Sequence, residues 1–162
     1  MLAANEWEGP VYLRRTRDPH PTIFGADHHF EVGKGYILRE GSDVTIMSTG
    51  VQTVRALQAA DLLASEGISA HVLHLPSIKP VDEAAIITAA QKTGRVVATE
   101  DHTIIGGLGG AIAEILGENA PTPMTRVGIR DTYGESAPND ELLEKYGLTP
   151  AHVALAARQL LD

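Results

Sequence analysis

Three short stretches of this chain are apolar along most of their length: DVTIMST (43–49), ISAHVLHLP (68–76) and RVVATE (95–100). A strand with one solvated face alternates apolar and polar residues, whereas a strand covered on both faces does not. The segments between these runs are spaced as helices. VQTVRALQAADLLASEG places Thr53, Ala56, Leu57, Ala60, Leu63 and Ala64 on one stripe and Arg55, Gln58, Ser65 and Glu66 opposite. Pro80 and the N-cap Asp82 open a second helix that runs to Thr93 and stops at Gly94. GGAIAEIL is a third helix, PNDELLEKYG a short fourth, and Thr149-Pro150 start a last one with Val153, Ala156, Ala157 and Leu160 inward. Adding YILRE (36–40) and MTRVGI (124–129) makes five strands alternating with helices. The expected fold is α/β, with a mostly parallel sheet between two helical layers.

Residues 1–35 do not share this regularity. GPVYLRR (9–15) reads as a short strand, and the Pro-, Gly- and charge-rich segment after it reads as a linker. The division is therefore 1–35 and 36–162. The chain has 162 residues, room for one domain and a small part of another. Aromatic residues are 4%, so the core must be Ala, Val, Ile and Leu. A net charge of −8 argues against a nucleic-acid partner, which calls for a basic face. No apolar run is long enough to span a bilayer, the start does not read as a signal peptide, and no cysteine is present for disulfides or thiolate metal sites. The expected setting is the cytoplasm, with no membrane partner.

Four groups of residues could carry chemistry. GGLGG supplies Gly106, Gly107, Gly109 and Gly110, but its spacing and its place after a late strand do not match the dinucleotide fingerprint. Such glycines either let the helix approach the sheet closely or leave its N-terminus open to an anion. Glu100, Asp101 and His102 follow a parallel strand, at the edge where ligands bind in open α/β sheets. They can be acid–base machinery or a capping and interface cluster. Asp27, His28, His29 and Glu31 are metal-ligating types, but adjacent residues of an extended segment point to opposite sides. His71 and His74 likewise face opposite ways, and no metal site is expected. Arg14, Arg15 and Arg17 form a cationic group suited to phosphate or carboxylate, or to simple solvation. There is no Ser-His-Asp order, no P-loop and no H-E-x-x-H.

Taken together, GPVYLRRTRD, DVTIMSTG, LPSIKPVDEAAI, TGRVVATEDHTIIGGLGGAIAEIL and LLEKYGL resemble the C-terminal domain of transketolase, including the smaller subunit of split transketolases. Deoxyxylulose-phosphate synthase and the β subunit of 2-oxo acid dehydrogenases are similar more loosely. The resemblance implies a three-layer α/β/α fold whose five-stranded mixed sheet has one antiparallel strand. It makes residues 1–35 the end of the preceding pyrimidine-binding domain plus a linker. It implies a thiamine-diphosphate- and Mg²⁺-dependent enzyme that moves a two-carbon ketol unit between phosphorylated sugars. The cofactors would be bound mainly by domains upstream, because no G-D-G…N motif occurs here. On this reading the chain is a piece of the enzyme, without a catalytic residue, cofactor or activity of its own. Its partners are the upstream domains or subunit and a second copy in a homodimer. The pattern G-P-x-x-x-x-x-[ST]-R runs from Gly9 to Arg17 and implies that Arg17 binds the substrate phosphate. Glu100, Asp101, His102, Gly106, Gly107, Gly109 and Gly110 become structural or interface residues. The alternatives are a docking domain of a related dehydrogenase β subunit or synthase, and a stand-alone anion-binding α/β domain.

Overall fold

The computed structural model describes residues 2–16 and 19–162. A short helix α1 (Leu2–Glu6) is followed by β1 (Tyr36–Arg39), β2 (Val44–Ser48), α2 (Gln52–Ser65), β3 (Ala70–His74), α3 (Glu83–Thr93), β4 (Val96–Thr103), α4 (Leu108–Asn119), β5 (Met124–Ile129), α5 (Asn139–Lys145) and α6 (Pro150–Leu161), with strands and helices alternating from β2 to α5. The strands form one sheet in the order β1-β3-β2-β4-β5. Strands β3, β2, β4 and β5 are parallel, and β1 is antiparallel to β3. The sheet is mixed, as the resemblance implies.

The unbroken apolar runs have the expected cause. Every residue of β2 and β3 is buried, and successive side chains serve different layers. Val44, Ile46, Val72 and Val97 face α2 and α6, with Ala56, Ala59, Ala60, Val153 and Ala157. Met47, Leu73, Val96 and Ala98 face α3 and α4, with Ile86, Ala90, Leu108 and Ile112. Alanine at the contact positions lets the helices lie close to the sheet. The α2 stripe is slightly rotated from the expected one. Thr53, Ala56, Ala60 and Leu63 are buried as expected, but Gln52 and Ala59 replace Ala64, which is exposed.

Local signals set the helix ends. Asp82 caps α3 through a hydrogen bond from Ala85 N (3.1 Å), and its other oxygen accepts from Gly35 N (3.0 Å). Gly94 closes α3 with φ +68°. Thr149 precedes α6, but its hydroxyl meets His152 Nδ1 at 2.8 Å instead of capping a backbone N–H. The β1–β2 turn needs Gly41, because a Cβ there would stand 2.2 Å from the Ala70 carbonyl carbon.

One expected element does not form. Residues 9–15 form no strand, and Tyr12 is 89% exposed. A strand needs a neighbour for its N–H and C=O groups, and the sheet offers none at this place. Residues 24–36 are clasped to the domain by aromatic rings. Phe24 stacks on His28 with centroids 3.8 Å apart, and His28 meets Tyr36 edge-on at 4.6 Å. The Tyr36 hydroxyl donates to His29 O (3.2 Å) and accepts from Glu31 N (2.7 Å).

Candidate functional site

The C-terminal ends of β2, β3 and β4 open onto a cleft of about 840 Å³. Thr49 and Gly50, His74, and Asp101 to Thr103 form its floor, and Trp7, Val11, Leu13 and Phe30 of the leader form the opposite wall. A second hollow of about 700 Å³ lies beside it, over the start of α2, where Arg14, Arg15 and His20 meet Gly50 and His74.

Strand β4 continues past Glu100 to Thr103, so the acidic-histidine tripeptide is extended backbone and alternates in direction. Glu100 points inward and is 1% exposed. Its carboxylate accepts from Leu108 N (2.8 Å) and Gly109 N (2.9 Å), the first free donors of α4. His102 Nε2 lies 2.8 Å from the same carboxylate. The side chain of Asp101 is 14% exposed, and its Oδ1 accepts from Arg14 Nη1 at 2.7 Å. That oxygen also lies 3.4 Å from His102 Nδ1. The result is one network: α4 N-terminus, Glu100, His102, Asp101, Arg14.

The electrostatics follow from these contacts. Burial opposes ionisation of Asp101, but the hydrogen bonds from His102 and Arg14 outweigh it and bring the carboxyl down to about 2. Asp101 and Glu100 together raise His102 to about 9, against its own burial. The 2.8 Å contact with Glu100 is the better hydrogen bond of the two. With its value raised to about 9, His102 is protonated at neutral pH and bridges the two carboxylates, offsetting their mutual repulsion.

The glycine cluster is explained by the same network. A Cβ on Gly107 would stand 1.9 Å from Glu100 Oε2, and one on Gly109 would stand 2.8 Å from Arg126 Cδ. Gly106 has φ +71°, a turn conformation that favours glycine. Gly110 has open space around it. The anion at the helix N-terminus is the protein's own Glu100, which leaves no free pair of N–H groups there for an external one. Gly128 on β5 was not signalled in the sequence. It closes the site from beneath, because a Cβ would meet Ile104 Cγ2 at 2.7 Å and Glu100 Cγ at 3.2 Å.

His71 and His74 face opposite layers, as expected. His71 sits beside Glu40 (3.4 Å) and titrates low through burial and the nearby Lys92. His74, at the cleft, meets Thr53 Oγ1 at 2.7 Å, and Thr53 Oγ1 accepts from Ser48 Oγ at 3.1 Å. Burial pushes His74 down to about 4. This Ser48–Thr53–His74 chain was not foreseen, since its members read as ordinary strand and helix residues. Among the described residues no three His, Asp or Glu side chains converge for a metal ion. The network carboxylates are already engaged by N–H donors, so these residues do not fit a Mg²⁺–diphosphate group. Arg17 lies outside the described residues.

Residues 33–153 match the family model for the transketolase C-terminal domain. The chain belongs to this family. It is 48% identical over 155 residues to a 6-deoxy-6-sulfo-D-fructose transketolase subunit of Clostridium sp. (strain MSTE9), covering 96% of this chain and 48% of that subunit. It is 42% identical over 168 residues to the 1-deoxy-D-xylulose-5-phosphate synthase of Heliobacterium modesticaldum, covering 100% of this chain and 26% of the synthase. A solved split-gene transketolase, described as an inactive β4 tetramer, superposes with a TM-score of 0.94 at 48% identity, covering 98% of this chain and 52% of that one. The transketolase C-terminal domain thus accounts for the three-layer fold with its antiparallel edge strand. The chain spans about half the length of the transketolase relatives it matches.

Proposed function

We propose that this chain is the C-terminal part of a thiamine-diphosphate-dependent transketolase, in which it orders the dimer and the substrate end of the active site while upstream domains hold the cofactor and Mg²⁺. What supports this most is the likeness, at a TM-score of 0.94, to a chain of a split-gene transketolase. Residues 36–162 are the C-terminal domain, and residues 1–35 are the end of the preceding pyrimidine-binding domain plus a linker. The support for that boundary is the leader, which forms no strand, with Tyr12 89% and Leu13 50% exposed although both are large and apolar. Glu100, Asp101, His102 and the glycines at the start of α4 build the domain edge that meets those residues, and the 61% exposed Ile105 extends it. Arg17 binds the terminal phosphate of a sugar substrate in the cytoplasmic homodimer. An anion site at the α4 N-terminus is disfavoured, because Glu100 fills that position.

The test mixes the chain with the upstream half, thiamine diphosphate and Mg²⁺, and follows ketol transfer from a ketose phosphate. Activity that needs both halves, with thiamine diphosphate bound only when the upstream half is present, supports the reading. Thiamine diphosphate binding by this chain alone would overturn it. The 42% identity to a deoxyxylulose-phosphate synthase keeps a second reaction in view. Pyruvate with glyceraldehyde 3-phosphate as substrates separates the two.

A further inference from the structure

We propose that the surface formed by the start of α2 and the loop into α5 is a docking site for the upstream half of the enzyme, in which Tyr133 becomes buried and the Arg55 guanidinium gains a hydrogen-bond acceptor. The inference rests on the reading of this chain as the C-terminal part of a transketolase, and every residue it uses lies in 36–162.

Three observations carry it. Arg55 stands in the first turn of α2 and is partly buried, and its Nη1 is buried without a hydrogen-bond partner among the described residues. Burial pushes the guanidinium down from its ordinary value, and the charges of Asp101 and Asp140 oppose this through space. Negative charge is therefore already at hand, and what Arg55 lacks is an acceptor oxygen such as a carbonyl. A buried donor left unpaired costs stability, so this side chain is at a disadvantage in the chain alone.

Second, Asp140 lies in the first turn of α5, and the loop leading into α5 raises Tyr133 to 96% exposure. This loop is held in place. The Tyr146 hydroxyl stands 3.3 Å from Tyr133 O and donates to Glu135 Oε1 at 2.6 Å, and Lys145 Nζ pairs with the same oxygen at 2.7 Å. A large ring presented on a fixed loop loses little entropy when a partner covers it. Third, the two groups share one base. Leu143 and Tyr146 of α5 pack onto the core of α2 and α6, and Gln52 Nε2 at the start of α2 donates to Leu148 O (3.1 Å).

The occupant follows from charge and length. A second copy in a twofold contact sets the exposed Asp131, Asp140 and Glu141 against their own equivalents, which like-charge repulsion disfavours. The chain spans about half the length of its transketolase relatives, and the upstream half is the partner assigned above to this end of the sheet.

Binding of the upstream half to this chain is measured by isothermal titration calorimetry, with thermal unfolding of the chain alone beside it. Tyr133→Ala and Arg55→Met are each expected to weaken binding at least about tenfold, and Tyr133→Phe to keep it within about twofold. Tyr133→Ala should leave the Tm of the chain alone within about 1 °C. Arg55→Met should leave it unchanged or raise it, because a buried charge without a partner is removed. If the wild type binds and neither variant weakens it, the docking surface is wrong and the transketolase reading stands. A fall of more than about 3 °C in the Tm of Arg55→Met would mean that the guanidinium serves the chain itself, which overturns the proposal. So would variants that bind the upstream half normally but lose self-association in sedimentation equilibrium, because the occupant is then a second copy. If the wild type neither binds the upstream half nor restores ketol transfer with it, the transketolase reading fails and the proposal with it.

Discussion

Replacing Glu100 by glutamine tests the centre of the network with almost no change in shape. The carboxylate is 1% exposed and faces three donors, Leu108 N at 2.8 Å, Gly109 N at 2.9 Å and His102 Nε2 at 2.8 Å. A glutamine can keep one or two of these with its carbonyl oxygen, but its NH₂ group must then face a donor. Hydrogen bonds to a charged group contribute about 1.5–3 kcal/mol each, and a buried donor left unpaired costs a comparable amount. Glu100→Gln should therefore destabilise by about 3–5 kcal/mol, which lowers Tm by roughly 10–15 °C at about 3 °C per kcal/mol in a domain of this size. The pH dependence gives a second readout. His102 has a folded value of about 9, above its unfolded 6.5. Its contribution is fully present below about pH 6.5 and is lost as pH rises through 9. At 1.36 kcal/mol per unit that loss is at most about 3 kcal/mol. Urea unfolding at pH 6, 8 and 10, followed by far-ultraviolet circular dichroism, should show this decline in the wild type and a shallower one in Glu100→Gln. A variant within about 0.5 kcal/mol of wild type at pH 6, declining with the same slope, would refute the network as described.

Two glycines one turn apart should respond in opposite directions. Gly107→Ala puts a Cβ 1.9 Å from Glu100 Oε2 and should cost about 2–4 kcal/mol in thermal unfolding. Gly110→Ala, with nothing within 4 Å inside α4, should be neutral or stabilise by up to about 1 kcal/mol. His74, brought to about 4 by burial, should stay neutral in an NMR titration down to about pH 5. The stability linked to it is present above about pH 6.5 and is lost as pH falls through 4, a loss that His74→Gln should remove. Thr53→Val deletes the hydroxyl that meets His74 Nδ1 at 2.7 Å and accepts from Ser48 Oγ, and should cost about 1–3 kcal/mol by chemical denaturation.

The periodic signals carried most of the architecture. Strands 43–49, 68–76 and 95–100 read as covered on both faces because their apolar runs do not alternate, and β2 and β3 are buried throughout. Asp82 and Gly94 marked the ends of α3 because a side-chain acceptor and a left-handed glycine are local requirements. A pattern that depends only on neighbours in the chain is legible without the fold. The stretch at 9–15, which forms no strand, shows the limit of that reasoning. Apolar, β-prone residues mark a strand, but a strand exists only where another supplies hydrogen-bond partners.

What the sequence by itself determined about this protein is therefore its class, its element order and its family resemblance, each set by short-range spacing or by motifs that can be quoted. Only the tertiary structure decided the strand order, with β1 reaching across the β1–β2 turn to pair with β3. It also decided which groups Glu100, Asp101 and His102 meet. In the sequence those three residues read first as a capping and interface cluster and second as an acid–base group, and their partners could not be named because they lie elsewhere in the chain. The α4 N-terminus is eight residues beyond Glu100 and Arg14 is 87 residues before Asp101. Charge and hydrogen bonding act through distances of about 3 Å, and the sequence cannot place groups that close until the backbone has brought them together.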